Sequence, residues 1–259
     1  MGDARESIHH AAAEGFAVAA DDYARGRPDY PPVILAWLRD DLGVGPGTTV
    51  VDLAAGTGKF TARLVEAGAT VTAVEPIDAM RERLAAALPG VPALPGTATS
   101  IPIADASADV VACAQAFHWF ATPGALAEIR RVLRPGGRLG LVWNARDERV
   151  GWTGRLARIT EPHEGGAPQF RTGAWRDAFP AEGFGPLHER TFSHSHAGPP
   201  GDVIVRRALS TSYIAALPPE RKAQVRDEIL ALIASEPELA GRDEVVVPYR
   251  TFAYWTEKA

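Results

Sequence analysis

Short apolar runs alternate with longer, more polar segments through the first 145 residues of the chain. The runs have the length of buried strands, and the segments between them have the spacing of helices. This alternation predicts a parallel sheet with helices on both faces. The predicted strands span residues 49–54, 70–75, 92–96, 108–114 and 137–143. The predicted helices span residues 31–42, 59–67, 77–88 and 123–133.

The pattern loosens after Asn144, where Gly, Pro and His are frequent from Arg146 to Gly201. One helix is predicted there, at 151–160, and the remainder is expected to supply loops and a cover that faces a substrate. Two further helices are predicted at 201–215 and 218–234. The second has an apolar face that is expected to pack into the core. The residues of that face are Val225, Ile229, Leu232 and Ile233.

The most informative stretch is VVDLAAGTGKF, residues 50–60. It is followed at strand spacing by a second apolar run, TVTAVEP, which ends on the acid Glu75. Gly56 and Gly58 let the backbone turn and approach a ligand closely. A strand, a glycine turn, a helix and a second strand ending in a carboxylate predict a nucleotide-type pocket, in which Glu75 binds a ribose diol.

The residues around Gly56 and Gly58 distinguish three kinds of ligand-binding glycine loop. A phosphate-binding P-loop requires Ser or Thr after its lysine, whereas Lys59 is followed by Phe60, so this interpretation fails. A dinucleotide fingerprint requires Gly or Ala where this chain has Thr61, so this interpretation is weakened. The remaining pattern, D-x-x-x-G-x-G beginning at Asp52, suits an adenosine ligand without phosphates.

These residues resemble the first motif of the class I S-adenosylmethionine-dependent methyltransferases, D-L-G-x-G-T-G, with a departure at Ala54. Two later segments, IPIADASADVV at 101–111 and EIRRVLRPGGRLGLVWN at 128–144, resemble the same family. In the second, Pro135-Gly136-Gly137 predicts a turn, because Pro ends a helix and the glycines redirect the chain. The resemblance implies that the glycine loop runs under the methionine part of the cofactor and that Glu75 binds the ribose hydroxyls.

The resemblance narrows to the trans-aconitate methyltransferase-like branch through segments such as DDYARGRPDYPP at 21–32 and AQAFHWF at 114–120. It implies a doubly wound, mostly parallel, seven-stranded α/β sheet of Rossmann-like type, with a helical lid and a substrate cover. Its two final strands are expected near 187–195 and 244–255. Residues 1–45 are expected to form the lid, 46–145 the cofactor-binding core, and 146–259 the cover and last strands of the same domain.

The resemblance also implies a set of ligand contacts. The expected cofactor contacts are Tyr23, Arg27, Asp52, Ala54, Gly56, Thr57, Gly58, Glu75, Pro76, Thr97, Ala98, Gln115 and Phe117. The expected substrate contacts are Trp119, Trp143 and Tyr213. Arg27 suits a carboxylate, as in the methionine part of the cofactor, although a capping helix without ligand contact remains an alternative. Thr99 stands where the family has an acid near the adenine, which leaves backbone groups of Thr97 and Ala98 for that role.

His118 is the candidate catalytic residue, because it follows the fourth predicted strand, where family pockets meet. If the acceptor is a poorly acidic hydroxyl, His118 is expected to act as a general base. The alternative is a loop histidine that packs between Phe117 and Trp119 without moving a proton. His194 and His196 share a strand face, but no third ligand at a defined spacing accompanies them, so no metal is predicted.

Composition limits the partners. A net charge of −5 and a pI near 5.8 argue against a nucleic-acid partner, whose binding favours a basic face. No apolar segment approaches the length of a membrane span, and no leader pattern opens the chain, so we expect a cytoplasmic protein. The single cysteine, Cys113, lies in an apolar run and is expected to be a core residue. The oligomeric state is not readable.

The sequence therefore predicts methyl transfer from S-adenosylmethionine to a small-molecule acceptor, at an O, N or C atom, by in-line displacement. The alternative is a protein of the same fold that uses the bound cofactor structurally, either for a non-methylating reaction such as cyclisation or as a binding protein.

Overall fold

The computed structural model describes residues 27–259. The chain separates into two compact units. The sheet unit consists of Asp29–Ala145, Pro168–His194 and Arg250–Ala259. The helical unit includes Arg146–Ala167 and Ser195–Tyr249. The expected Tyr23 contact lies outside the described residues.

Seven strands form one mixed sheet in the order β3-β2-β1-β4-β5-β7-β6. Their bounds are β1 Thr49–Leu53, β2 Thr70–Val74, β3 Ala93–Leu94, β4 Ala108–Ala114, β5 Leu133–Arg146, β6 His188–Gly198 and β7 Val245–Glu257. The first five strands pair in parallel, with β1 between β2 and β4. The carboxyl ends of these strands therefore meet at one edge of the sheet, where ligands bind in folds of this kind. The predicted doubly wound α/β fold is confirmed.

Eight α-helices accompany the strands in the described part of the chain. They are α1 Ile34–Asp40, α2 Lys59–Glu66, α3 Asp78–Ala87, α4 Pro123–Val132, α5 Gly151–Thr160, α6 Arg207–Leu209, α7 Ser212–Ala215 and α8 Pro219–Ser235. The last of them buries Val225, Ile229 and Leu232, as its apolar face predicts. None of the helices in residues 27–259 has the length and apolar character of a membrane span.

Two predictions about local structure are wrong. The helix expected at 201–215 is broken into a π-helix at Gly201–Arg206, the short α6, and α7. The Pro135-Gly136-Gly137 segment lies inside β5, which begins directly after α4. The chain bulges there, because Ala108 pairs with Leu133 whereas Val110 pairs with Arg138. The positive φ of Gly136, 73°, accommodates this excursion.

The two faces of the sheet unit have separate apolar cores. One core contains Val51, Cys113 and Trp143, and the other contains Trp37, Val50 and Leu64. Val50 and Val51 face opposite cores because successive strand residues point to opposite faces. Cys113 is buried, as predicted, and burial raises the pKa of its thiol well above the usual value. The rigid layers on both sides fix the carboxyl edge of the sheet.

The segment at 168–184 was expected to be cover and loops, but part of it belongs to the core. Trp175 is buried in the same apolar cluster as Trp143, and their ring centroids lie 4.7 Å apart. Phe170 stacks on Trp143 at the same centroid distance of 4.7 Å. The sequence did not predict this packing, because Phe170 and Trp175 lie in short 3₁₀ turns that have neither helical nor strand periodicity.

Candidate functional site

The loop between β1 and α2 turns through residues with left-handed backbone. Ala54, Gly56 and Gly58 have φ angles of 56°, 57° and 86°. A Cβ at Gly56 would meet no protein atom within 4 Å, whereas a Cβ at Gly58 would lie 2.9 Å from the Cγ of Leu84. Gly56 therefore leaves its backbone accessible to a ligand, and Gly58 permits close packing of the loop on α3.

Glu75 follows β2 and joins this loop to the start of α3. The backbone N–H of Gly56 donates to its Oε2 at 2.9 Å, and the N–H of Ile77 donates to its Oε1 at 3.0 Å. The residue is only 5% exposed. Burial raises the pKa of Glu75, and the two N–H donors and nearby Arg81 oppose that rise. Each carboxylate oxygen keeps a lone pair after these bonds, so the group can still accept hydroxyl donors.

Asp52, within β1, lies beneath the loop and is fully buried. The hydroxyl of Thr61 donates to its Oδ2 at 2.6 Å, which ties β1 to α2. Its Oδ1 has no hydrogen-bond partner among the described residues. Burial and the charge of Glu75 raise the pKa of Asp52 to about 7, against the lowering effect of the Thr61 bond. The side chain supports the loop from below.

A second strained residue lies at the end of β4, the strand beside β1. Gln115 has a φ of 63°, which is uncommon for a residue other than glycine, and strain of this kind concentrates at functional sites. Its backbone N–H donates to the carbonyl of Val142 at 2.7 Å. Its side-chain amide donates to the carbonyl of Asn144 at 3.2 Å. Gln115 thus links the ends of β4 and β5 at the edge that carries the glycine loop.

Sequence reasoning missed Asn144 and Lys59. The Oδ1 of Asn144 accepts a 2.6 Å bond from Thr251, and its Nδ2 donates to the carbonyl of Asp29 at 3.4 Å. Lys59 pairs with the Asp29 carboxylate at 3.5 Å. Together they fasten the segment before α1 to the carboxyl edge. For Asn144 the available signal was its position directly after the predicted strand at 137–143, because polar residues there face the ligand edge.

His118 lies in a 3₁₀ turn, Phe117–Trp119, just after β4. The indole Nε1–H of Trp143 donates to its Nδ1 at 3.0 Å. A neutral imidazole that accepts at Nδ1 carries its proton on Nε2. In this tautomer the proton of His118 is on Nε2, and its basic nitrogen, Nδ1, accepts the bond from Trp143.

Two of the expected aromatic ligand contacts need correction. Phe117 and Trp143, expected to contact cofactor and substrate, are completely buried in the apolar cluster of the sheet unit. Trp143 is linked to the site by its bond to His118. Trp119 is half-buried, as are Thr57 and Pro76.

Four further expected contacts remain predictions. Thr97 uses its backbone N–H and its carbonyl in two hydrogen bonds with Ser100. Ala98 is buried. Tyr213 is on α7 of the helical unit, and Arg27 also belongs to that unit.

Comparison with known proteins points to one family. Residues 51–141 match a family model described as a methyltransferase domain. An uncharacterized methyltransferase-like protein of Schizosaccharomyces pombe is 36% identical, over 94% of this chain and 95% of its own length. An uncharacterized methyltransferase of Mycobacterium tuberculosis is 41% identical, over 91% and 92% respectively. A putative type II methyltransferase from Anaeromyxobacter dehalogenans has a similar fold, with a TM-score of 0.63, 24% identity, and coverage of 90% of this chain and 97% of that one.

The elevated pKa of Asp52, about 7, predicts a pH-dependent loss of stability. The folded state binds a proton at Asp52 more tightly than the unfolded state, so this residue destabilises the fold progressively as the pH rises from about 4 to about 7. Relative to Asp52→Asn, the wild type should lose up to about 1.4 kcal/mol per pH unit in this range. Urea denaturation between pH 5 and pH 8 measures the difference. Asp227→Asn, which changes an exposed carboxylate, is the control, and parallel curves for wild type and Asp52→Asn contradict the assignment.

The two loop glycines should differ in their tolerance of a side chain. Gly56→Ala adds only left-handed strain, about 1–2 kcal/mol. Gly58→Ala adds the same strain plus the contact with Leu84, and should lose about 1–3 kcal/mol more. The free energy of unfolding in urea measures both losses. Gly90→Ala is the control, because its Cβ meets no atom within 4 Å and its φ is not left-handed. Equal losses at Gly56 and Gly58 would show that Leu84 does not restrict the loop.

Proposed function

This chain belongs to the methyltransferase family, and on that premise we propose that it transfers a methyl group from S-adenosylmethionine to a small-molecule acceptor. The observation that carries the proposal is the Glu75 carboxylate bonded to the N–H of Gly56 in the glycine loop. The relatives above are all named as methyltransferases, which favours transfer over a purely structural use of the cofactor. The trans-aconitate methyltransferase-like branch remains a finer prediction.

The residues at the edge fit the proposed cofactor. Glu75 offers carboxylate oxygens to a vicinal diol, and a charge-assisted hydrogen bond contributes roughly 1.5–3 kcal/mol. The absent side chain of Gly56 lets a ligand lie against the backbone. Asp52 keeps this loop in place through Thr61. No phosphate-binding lysine follows the pattern of a P-loop, in agreement with an adenosine ligand without phosphates.

The cofactor, when bound, supplies a methyl carbon that its sulfonium already activates. The work left to the chain is to exclude water and to align the acceptor for in-line attack, with reacting atoms about 3–3.5 Å apart. We propose that the Nε2–H of His118 orients the acceptor as a hydrogen-bond donor. The general-base role expected from the sequence would require the other tautomer, in which the bond from Trp143 is lost.

Binding of S-adenosylhomocysteine tests the cofactor assignment. Glu75→Gln should weaken its affinity at least about tenfold, because one charge-assisted acceptor is lost. Isothermal titration calorimetry measures both proteins. Glu128→Gln is the matched control, since Glu128 also accepts a backbone N–H, from Ile101, on another part of the sheet unit. Equal affinities for wild type and Glu75→Gln reject the ribose assignment, and no binding to the wild type rejects the proposed function.

The tautomer of His118 is directly measurable. Long-range proton–nitrogen NMR spectra of the imidazole should show a protonated Nε2 and an unprotonated Nδ1 in the wild type near neutral pH. Trp143→Phe should remove this preference, because it deletes the Nε1–H donor. Trp175→Phe is the control, because its indole lies in the same aromatic cluster and its Nε1 has no partner among the described residues. A wild-type ring protonated at Nδ1 would restore the general-base interpretation.

The transfer itself is tested with methyl-labelled cofactor. Incubation of the protein with a metabolite extract should produce a methylated small molecule together with S-adenosylhomocysteine. Mass spectrometry detects both products. Release of the demethylated cofactor without any methylated acceptor would contradict the proposal.

A further inference from the structure

The side-chain oxygen of Gln115 is a hydrogen-bond acceptor that the fold leaves unused at the carboxyl edge of the sheet unit. Gln115 directly follows β4, and its backbone has a left-handed φ of 63°. We infer that its Oε1 accepts a hydrogen bond from the substrate, whose reacting atom is therefore an oxygen or nitrogen that carries a hydrogen. The inference rests on the proposed function, to which it adds the chemical class of the substrate.

The orientation of the Gln115 amide is fixed by its neighbour. Its nitrogen, Nε2, donates to the backbone carbonyl of Asn144 at 3.2 Å. A carbonyl only accepts hydrogen bonds, so the amide atom that faces it must be the nitrogen and not the oxygen. The two atoms lie on different sides of the amide carbon. Oε1 is therefore directed away from the carbonyl of Asn144.

The oxygen of Gln115 is available to a ligand. Within residues 27–259, no group donates a hydrogen bond to Oε1, and this atom is not shielded from solvent. The neighbouring amide of Asn144 differs, because the fold uses both of its polar atoms. Its Oδ1 accepts from Thr251 at 2.6 Å, and its Nδ2 donates to the carbonyl of Asp29 at 3.4 Å. Gln115 thus keeps an oriented acceptor where Asn144 keeps none.

The backbone of Gln115 is strained at the same point. Left-handed φ angles are adopted without strain by glycine, and among other residues most often by Asn, Asp and His. A glycine after β4 would provide the same backbone course without the strain of a glutamine. Strained residues concentrate at positions that contact ligands. The strain and the unused oxygen therefore both indicate that the side chain of Gln115 serves a ligand.

The strand order indicates which part of a ligand Gln115 meets. Strands β2, β1 and β4 are consecutive neighbours in the sheet, with a spacing of roughly 4.8 Å. Glu75, the proposed ribose partner, follows β2, and the glycine loop follows β1. Gln115 follows β4, so it lies about two strand spacings, or roughly 10 Å, beyond the ribose side. With the ribose at β2 and the methionine part over the loop, the substrate meets the methyl group near the end of β4.

An amide oxygen accepts a hydrogen bond but is too weak a base to take the proton at neutral pH. Gln115 therefore orients the substrate. When Oε1 holds the O–H or N–H, a lone pair on the same atom is left for in-line attack on the methyl carbon. A site built to hold such a group strongly rejects analogues that lack it. A carboxylate carries no hydrogen at its oxygens, so the inference excludes carboxylates as the reacting group.

Sinefungin and S-adenosylhomocysteine are the probes, used in calorimetry with the full-length protein. Sinefungin carries an amine at the position of the transferred methyl group, whereas S-adenosylhomocysteine has no group there. Gln115→Met should weaken sinefungin binding at least about tenfold, because a charge-assisted bond to this amine is lost. The affinity for S-adenosylhomocysteine should change by less than about twofold. Methionine has the length of glutamine and meets the same backbone strain, so the variant differs chiefly in its polar atoms.

Two further variants define what Gln115 contributes. Gln115→Glu keeps an oxygen acceptor, and its sinefungin affinity should stay within about threefold of the wild type or exceed it. Gln224→Met is the control, because it replaces an exposed glutamine on α8, and it should bind both probes as the wild type does.

The calorimetry has four contrary outcomes. Unchanged sinefungin binding by Gln115→Met overturns the inference. An equal loss for both probes assigns Gln115 to the cofactor or the fold, and equal losses in Gln115→Met and Gln115→Glu assign the contact to its N–H, so each also overturns it. Absence of S-adenosylhomocysteine binding to the wild type rejects the proposed function and the inference together.

The methylated product tests the substrate class. Mass spectrometry in deuterated water counts the exchangeable hydrogens of the product obtained from the metabolite extract and of its precursor. Methylation of an O–H or N–H removes one such hydrogen, so the product should have one fewer. An unchanged count, as with methylation of carbon, overturns the inference while leaving methyl transfer intact. A methyl ester that mild base hydrolyses does the same, since it forms on a carboxylate.

Discussion

The candidate site depends on one buried carboxylate that accepts two backbone N–H groups. Glu75 bonds to Gly56 on one oxygen and to Ile77 on the other, and thereby holds the glycine loop against the start of α3. Gly56 lies in the loop after β1 and Ile77 directly precedes α3, so neither N–H is used in a strand pair or within a helix. The carboxylate satisfies them, and its burial keeps the geometry rigid. A ligand that meets this group meets an acceptor already oriented by the fold.

Two residues with strained backbone lie at the carboxyl edge of the sheet, beside the glycine loop. Of the three non-glycine residues with positive φ in the described chain, Ala54 follows β1 and Gln115 follows β4, and these strands are neighbours. Ala54 stands where the resembling family has glycine, so the chain accepts a strained alanine there. The neighbouring bonds explain why the strain persists, because the Ala55 N–H is bonded to Val74 and the Gln115 N–H to Val142.

A hydrogen bond from Trp143 to His118 links the aromatic core of the sheet unit to the candidate site. Trp143 is packed by Phe170, Trp175 and Tyr254, so its indole N–H has a fixed direction. That N–H bonds to His118 and selects which nitrogen of the imidazole carries the proton. A residue classed as apolar core therefore sets the hydrogen-bonding character of a residue at the carboxyl edge.

The sequence by itself determined the succession of strands and helices along the chain, most of their bounds to within a few residues, and the occurrence of an acid at the end of the strand that follows the glycine loop. These features follow from local periodicity and from residues such as Gly58 and Glu75, whose roles are encoded within a short stretch. Only the tertiary structure decided that Phe117 and Trp143 are buried, that His118 accepts from Trp143, and that the predicted helix at 201–215 is broken by a π-helix. Those outcomes depend on contacts between residues far apart in the chain, such as Trp143 with Trp175 and Trp143 with His118, which no local pattern records.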